Sequence, residues 1–175
     1  MSRRHRLERS QFIPRPRAEV FAFFSDAANL ERITPSTLRF RIVTPGPIVM
    51  REGALIDYEL RLYGVPLRWK TRISTFEPGV AFADVQLSGP YRFWHHRHAF
   101  FDAEGGTTMT DTVDYELPLG LLGALAHSLF VKRSLAQLFD FRARAIVEIM
   151  GEGRRPALQR SASAADDVRE GGASR

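Results

Sequence analysis

The sequence predicts an α+β fold: a curved antiparallel sheet of about seven strands wrapped around a long C-terminal helix, with two short helices after the first strand. Three observations predict it. Between residues 38 and 117, apolar and polar side chains alternate with a period of two, in runs broken by short Gly- and Pro-containing turns. Short connections of this kind join antiparallel neighbours. Between residues 121 and 150 there is no proline, one glycine (Gly123), and a recurrence of apolar residues at helical spacing. A sheet with one apolar face and a long amphipathic helix can bury one another, and strong sheet curvature leaves a cavity between them.

Each element follows from local signals. Residues 7–14 read as the first strand, ended by Pro14 and Pro16. Residues 17–27 read as a helix with a thick apolar stripe of Val20, Phe21, Phe23 and Phe24, and Pro16 stands where a first-turn proline is tolerated. Residues 29–33 read as a second short helix with Asn29 as N-cap, stopped before Pro35. Strands follow at 39–44, 54–63, 67–76, 81–87, 91–102 and 107–117. In the second of these, Ile56, Tyr58, Leu60 and Leu62 share one side and Asp57, Glu59 and Arg61 the other. In the third, Leu67, Trp69, Thr71 and Ile73 oppose Arg68, Lys70 and Arg72. The long helix, residues 121–150, carries Leu125, Leu129, Leu135, Leu138, Phe139, Ile146 and Ile149 as its apolar stripe. Its basic face is expected to hold Lys132, Arg133, Arg142 and Arg144.

A chain of 175 residues suits one domain with a substantial core. The expected organisation is a flexible basic N-terminus at 1–5, one folded domain at 6–150, and a disordered tail at 151–175 that is too poor in large apolar residues to order itself. The net charge of +5 is concentrated at the ends: four Arg against one Glu in residues 1–10, and five Arg against four acids in residues 151–175. The near-neutral middle argues against nucleic acid as a partner, because a nucleic-acid domain places its positive charge on a folded face. With no cysteine, disulfides, thiolate catalysis, Cys-bound zinc and iron–sulfur clusters are excluded. No run approaches a membrane span, and residues 1–10 lack the apolar core of a signal peptide, so a cytoplasmic location is expected. No phosphate-binding or dinucleotide glycine loop and no Gly-x-Ser-x-Gly elbow exists, and no cofactor is expected.

The most informative segment is Gly89-Pro90-Tyr91-Arg92-Phe93-Trp94-His95-His96-Arg97-His98-Ala99-Phe100. As a strand it sets Trp94, His96, His98 and Phe100 on one face and Phe93, His95, Arg97 and Phe101 on the other. One face thus carries two imidazoles between aromatics, which suits a polar patch inside a mostly apolar pocket. Pairing this strand with residues 107–117 so that Phe100 opposes Met109 sets His98 against Asp111, His96 against Val113 and Trp94 against Tyr115. A carboxylate so placed orients an imidazole and raises its pKa, while burial lowers it. Asp84 and Gln86 share one face of the preceding strand and join the patch in one hairpin register, or face solvent in the other. The polar cluster is equally explained by groups that satisfy one another structurally. His96 and His98 with Asp111 or Asp84 have the composition of a two-His-one-carboxylate set, but no metal is expected. His127, on the long helix, reads as helix surface or core edge rather than a ligand, His5 lies in the basic arm, and Ser88, Ser128 and Ser134 read as turn or helix-surface residues.

These motifs together resemble the START-like, or SRPBCC, superfamily, which includes birch-pollen-allergen-like proteins, polyketide cyclases and dehydrases, and coenzyme-Q-binding START-like proteins. The resemblance spans about residues 5 to 150. It is carried by Tyr58-x-Leu60, Trp69, Phe82-x-Asp84-x-Gln86, Gly89-Pro90-Tyr91, Trp94-x-His96-x-His98-x-Phe100, Gly106-Thr107 and Asp111-x-Val113-x-Tyr115-x-x-Pro118. The nearest likeness is to a bacterial group of SRPBCC ligand-binding domains. The resemblance implies a helix-grip fold whose cavity takes a lipid, quinone, isoprenoid or polyketide-like molecule. The residues expected to line it are Tyr58, Trp69, Phe82, Asp84, Gln86, Trp94, His96, His98, Asp111 and Tyr115. Two other readings stay open: a cyclase- or dehydrase-type enzyme using His98 or His96 oriented by Asp111, and a protein-interaction module with no ligand. The leucine-rich run 117–131, followed by Lys132-Arg133, reads as an ordinary helix start or as an apolar cavity mouth able to touch a membrane surface transiently.

Overall fold

The computed structural model describes residues 4–62, 64–118 and 130–151. Seven strands form one antiparallel sheet: β1 (Arg4–Ile13), β2 (Arg41–Ile42), β3 (Leu55–Leu62), β4 (Val65–Glu77), β5 (Ala81–Ser88), β6 (Phe93–Ala103) and β7 (Gly106–Glu116). Their order in the sheet is β1-β7-β6-β5-β4-β3-β2, so the first strand closes against the last and the rest form a meander. Helix α1 (Arg17–Phe24) and a short 3-10 turn (Ala27–Leu30) follow β1, and helix α2 (Lys132–Gly151) packs on the concave face of the curved sheet. This is the helix-grip architecture that the alternation and the long helical segment predict.

The core is built where the two apolar faces meet. Phe21 and Phe24 of α1, Phe82 of β5, Phe100 of β6, Met109 of β7 and Ala145, Ile146 and Met150 of α2 are buried together. Phe100 is 1% exposed and touches Phe21, Phe24 and Phe82, edge-on, tilted or stacked, with ring centroids 5.4 to 6.1 Å apart. Burying an aromatic side chain of this size contributes roughly 1.5–3 kcal/mol before edge contacts are counted. On the outer face, Asp57 meets Lys70 and Glu59 meets Arg68 across β3 and β4, as the alternation requires.

Several boundaries differ from the sequence reading, each for a local reason. The first strand begins at Arg4 rather than residue 7, so Arg4 and His5 belong to the sheet and not to a flexible arm. Arg4 pairs with Glu116 in the register and places its guanidinium 4.0 Å over the Phe93 ring. The second short helix is the 3-10 turn Ala27–Leu30, capped by Asp26, whose side chain accepts from the Ala28 amide at 3.0 Å. Asn29, expected as the cap, instead donates to the Phe23 carbonyl at 3.0 Å. The strand expected at 39–44 shrinks to Arg41–Ile42, because Ser36–Leu38 forms another 3-10 turn that Arg39 closes with φ of 44°. The part of the expected long helix at 121–129, with Leu125, His127, Ser128 and Leu129, lies outside the described residues, as do Tyr63 and residues 152–175.

Candidate ligand cavity

A cavity of about 250 Å³ lies between the concave sheet face and α2. Its walls are apolar and come from every layer: Phe24 and Ile33 from the segment after β1, Tyr58 and Leu60 from β3, Trp69 from β4, and Leu135 and Leu138 from α2. The period of two puts these strand residues there, since each follows the alternation set by Ile56 in β3 and Ile73 in β4. The aromatic wall is continuous. Tyr58 stacks on Trp69 at 6.0 Å, Trp69 meets Trp94 edge-on at 5.1 Å, and Tyr91 tilts against Trp94 at 4.8 Å.

Part of the cavity lining is polar. The β6–β7 register sets Phe100 opposite Met109, His98 opposite Asp111, His96 opposite Val113 and Trp94 opposite Tyr115, the pairing expected from the sequence. On the other flank Asp84 stands opposite His96 and Phe82 opposite His98. Of the two hairpin registers that the sequence leaves open, this is the one that brings Asp84 to the histidines. His96 and His98 are each 6% exposed, with ring centroids 4.0 Å apart. Asp111 Oδ1 lies 3.1 Å from His96 Nε2 and 2.6 Å from His98 Nδ1. The His96 contact is a formed hydrogen bond, whereas the His98 ring N–H is off line to the oxygen despite the short distance. Asp84 Oδ2 sits 3.6 Å from His96 Nδ1.

Burial sets the protonation of this group. It pulls the His96 pKa down to about 3, helped by the charge of His98, and the bond to Asp111 only partly restores it. It pushes the Asp84 carboxyl up to about 6 against the opposing pull of His98, Arg142 and a hydrogen bond from Trp94. Burial would raise Asp111 too, but the charge and close approach of His98, with the hydrogen bond to His96, hold it below the usual carboxylate range. Two carboxyl groups on one face are thus shifted in opposite directions, because Asp111 lies within 3.1 Å of both imidazoles while Asp84 stands 3.6 Å from His96. Tyr58, hydrogen-bonded to Thr71 Oγ1 at 2.7 Å, is raised by burial and by Asp84.

The expected lining residues separate into two groups. Tyr58, Trp69, Phe82, Asp84, Trp94, His96 and His98 line the cavity; Gln86, Asp111 and Tyr115 do not. Gln86 closes the turn after β5: its Nε2 donates to the Tyr91 carbonyl at 2.6 Å and its Oε1 accepts from the Tyr91 amide at 3.3 Å. A Cβ at Gly89 would stand 2.5 Å from that Oε1, so a side chain there would displace the Gln86 amide. Asp111 supports the histidines from behind and faces a recess of about 50 Å³ between β1, β7 and α2. Tyr115 is buried against His5 and Tyr91.

The sequence reading misplaces one residue of the site. It sets Arg142 on the basic face of α2, yet Arg142 is 7% exposed and lines both the cavity and the recess behind it. Its position in the series Leu135, Phe139, Arg142, Ile146 is the signal that could have found it, since that spacing runs down the buried stripe of the helix. Asp84, His96 and His98 also bring ligand-type atoms within 4.8 Å of one another, the geometry of a cation site, although the charge of Arg142 at the same cavity works against a cation. The leucine-rich mouth segment falls mainly on residues 119–129, outside the described residues; among those described, no helix is long and apolar enough to cross a membrane.

Comparison with known proteins places this geometry. A family model described as "Polyketide cyclase / dehydrase and lipid transport" matches residues 4–150. The chain belongs to this family. It is thereby a member of the SRPBCC, or START-like, superfamily, and the solved structures it resembles share the helix-grip fold. One is an aromatase/cyclase, Zhui, from Streptomyces sp. R1128, at 17% identity and TM-score 0.60, covering 86% of this chain and 99% of that one. Another is the major latex-like protein 151 of Panax ginseng, at 12% identity and TM-score 0.63, covering 84% and 97%. A third is a nucleoside-diphosphate sugar epimerase from Corynebacterium glutamicum, at 27% identity and TM-score 0.58, covering 81% of this chain but only 28% of that one. No curated protein sequence matches the chain. The family spans hydrophobic-ligand binding and polyketide cyclase-type roles.

Proposed function

We propose that this protein binds a small, largely hydrophobic molecule in the cavity between the sheet and α2. Candidate ligands are a lipid, quinone, isoprenoid or polyketide-like molecule. The observation that carries the reading is the cavity itself: about 250 Å³, walled largely by aromatic and aliphatic side chains, with a buried polar group among them. A cavity of about 150 Å³ lined by apolar side chains already takes a benzene ring, so this one has room for a larger body. Apolar walls supply affinity and the few polar groups fix orientation. An interaction module without ligand would instead fill that space with side chains. The test is native mass spectrometry of the purified protein, followed by organic extraction. A stoichiometric apolar molecule supports the reading; no such molecule, together with no binding of added lipids, quinones or aromatic polyketide mimics, sinks it.

A cyclase- or dehydrase-type activity is the second reading, favoured by one observation. Asp111 contacts both imidazoles while Asp84, pushed up to about 6, faces the same cavity, so an acid and an oriented base stand side by side. Here Asp111→Asn would leave ligand binding intact and abolish product formation.

A further inference from the structure

We infer that the occupant of the cavity carries an ionised acid group, and that Arg142 receives it. This rests on the ligand-binding reading above and names the class of ligand. A guanidinium keeps its charge under all ordinary conditions, and a buried charge is costly unless it is paired. Arg142 is 7% exposed, and burial pulls its pKa below the usual value. Among the described residues it makes no ion pair within 4.0 Å, and its Nε has no hydrogen-bond partner. Its closest described aromatic contact is stacking, with the guanidinium carbon 5.0 Å from the centroid of the Phe139 ring.

The surrounding charges explain why the protein itself does not complete this pair. Asp111 and Asp84 act on Arg142 at longer range, followed by Tyr58. Asp111 Oδ1 is already held by His96 and His98, and Asp84 lies against His96. The contrast with the surface sharpens the point. Arg6 grips Asp114 at 2.7 Å and Arg41 grips Glu59 at 2.9 Å where water would solvate them anyway. The guanidinium with most to gain from a partner is the one left open toward a cavity.

A carboxylate matches the guanidinium fork with two parallel hydrogen bonds. The rest of the lining is mostly apolar, from side chains such as Trp69, Trp94 and Leu138, with Asp84, His96 and His98 among its polar members. The ligand class is therefore an amphiphilic organic acid: charged end on Arg142, apolar body against the aromatic wall.

The test uses the full chain and matched pairs of probes: decanoic acid with methyl decanoate, and 2-naphthoic acid with methyl 2-naphthoate, measured by calorimetric titration at pH 8. One charge-assisted contact is worth about tenfold to a hundredfold in affinity. At least one acid is expected to bind more tightly than its ester by that factor. Arg142→Met should erase the difference, and Arg142→Lys should retain part of it, because the charge stays and the fork is lost. Acid and ester binding alike, or a preference that survives Arg142→Met, overturns the inference while leaving the cavity reading intact. Absence of binding by all four probes overturns the inference, while the cavity reading is decided separately by the extraction experiment. If Arg142→Met fails to fold, as a thermal melt would show, the wild-type ratio and the Arg142→Lys variant still separate the two outcomes.

Discussion

Two neighbouring stretches of the same strands behave oppositely. At one, Phe82, Phe100 and Met109 face inward and make a closed apolar core. Two residues along, on the same face of the same strands, stand Asp84, His98 and Asp111, buried nearly as deeply. Backbone, register and burial are shared; only side-chain chemistry changes. The apolar stretch contributes stability through area and packing. The polar stretch costs desolvation, which its internal contacts only partly offset. Burial of such a group beside the cavity is therefore weak evidence of a stabilising role.

The comparison can be broken first at its apolar end. Phe100→Ala should cost about 3–5 kcal/mol, the range for deleting a fully buried aromatic. A urea titration would check it, and a loss below that range would mean that the cavity nearby lets the core relax.

At the polar end, Asp111→Asn removes the charge that both imidazoles share. A loss of about 1.5–3 kcal/mol is expected, the value of hydrogen bonds to a charged group. His96 should become still harder to protonate, because the bond to Asp111 is what raises its pKa. An NMR titration of the imidazole signals reads that shift independently of stability.

The pH dependence separates Asp84 from His96. Asp84 has a raised pKa in the fold, so its contribution is full below the unfolded value of 3.8 and is lost as pH rises through about 6. His96 is lowered, so its contribution is full above the unfolded value of 6.5 and is lost as pH falls toward about 3. Asp84→Asn should therefore gain on the wild type above pH 6, on the order of 1–2 kcal/mol, with little gain near pH 4. Denaturation midpoints at pH 4, 6 and 8 would show the sign; a gain largest at pH 4 contradicts it.

The smallest effect is expected outside the cavity. Gln86→Ala removes the two bonds that close the turn after β5 and should cost about 1 kcal/mol, with ligand affinity unchanged. A clear loss of affinity would return Gln86 to the site.

Legibility from sequence follows the period of each element. In β6 and β7 the period of two places His98 against Asp111 once Phe100 is set against Met109, the register that the structure has. For Gln86 that period does not discriminate: it shares its face with Asp84, but lies near the strand end, where the turn recaptures its side chain. Asp111 and Tyr115 point to the concave face as alternation requires, yet sheet curvature and α2 leave them behind the lining, and no one-dimensional pattern carries curvature. Arg142 is hidden by composition. A charged residue between Phe139 and Ile146 looks like a solvated face until the helical spacing is followed strictly.

The strand order has one more consequence, for the time course of folding. Arg6 and Asp114 are partners 108 positions apart, so β1 can be covered only after β7 exists. The meander β3 to β7 needs only local hairpins, which close quickly, whereas the β1–β7 seam pays the entropy of a long loop. On the ribosome, Asp84, His96, His98 and Asp111 can meet while β1 still lacks its neighbour, and Arg142 arrives last with α2.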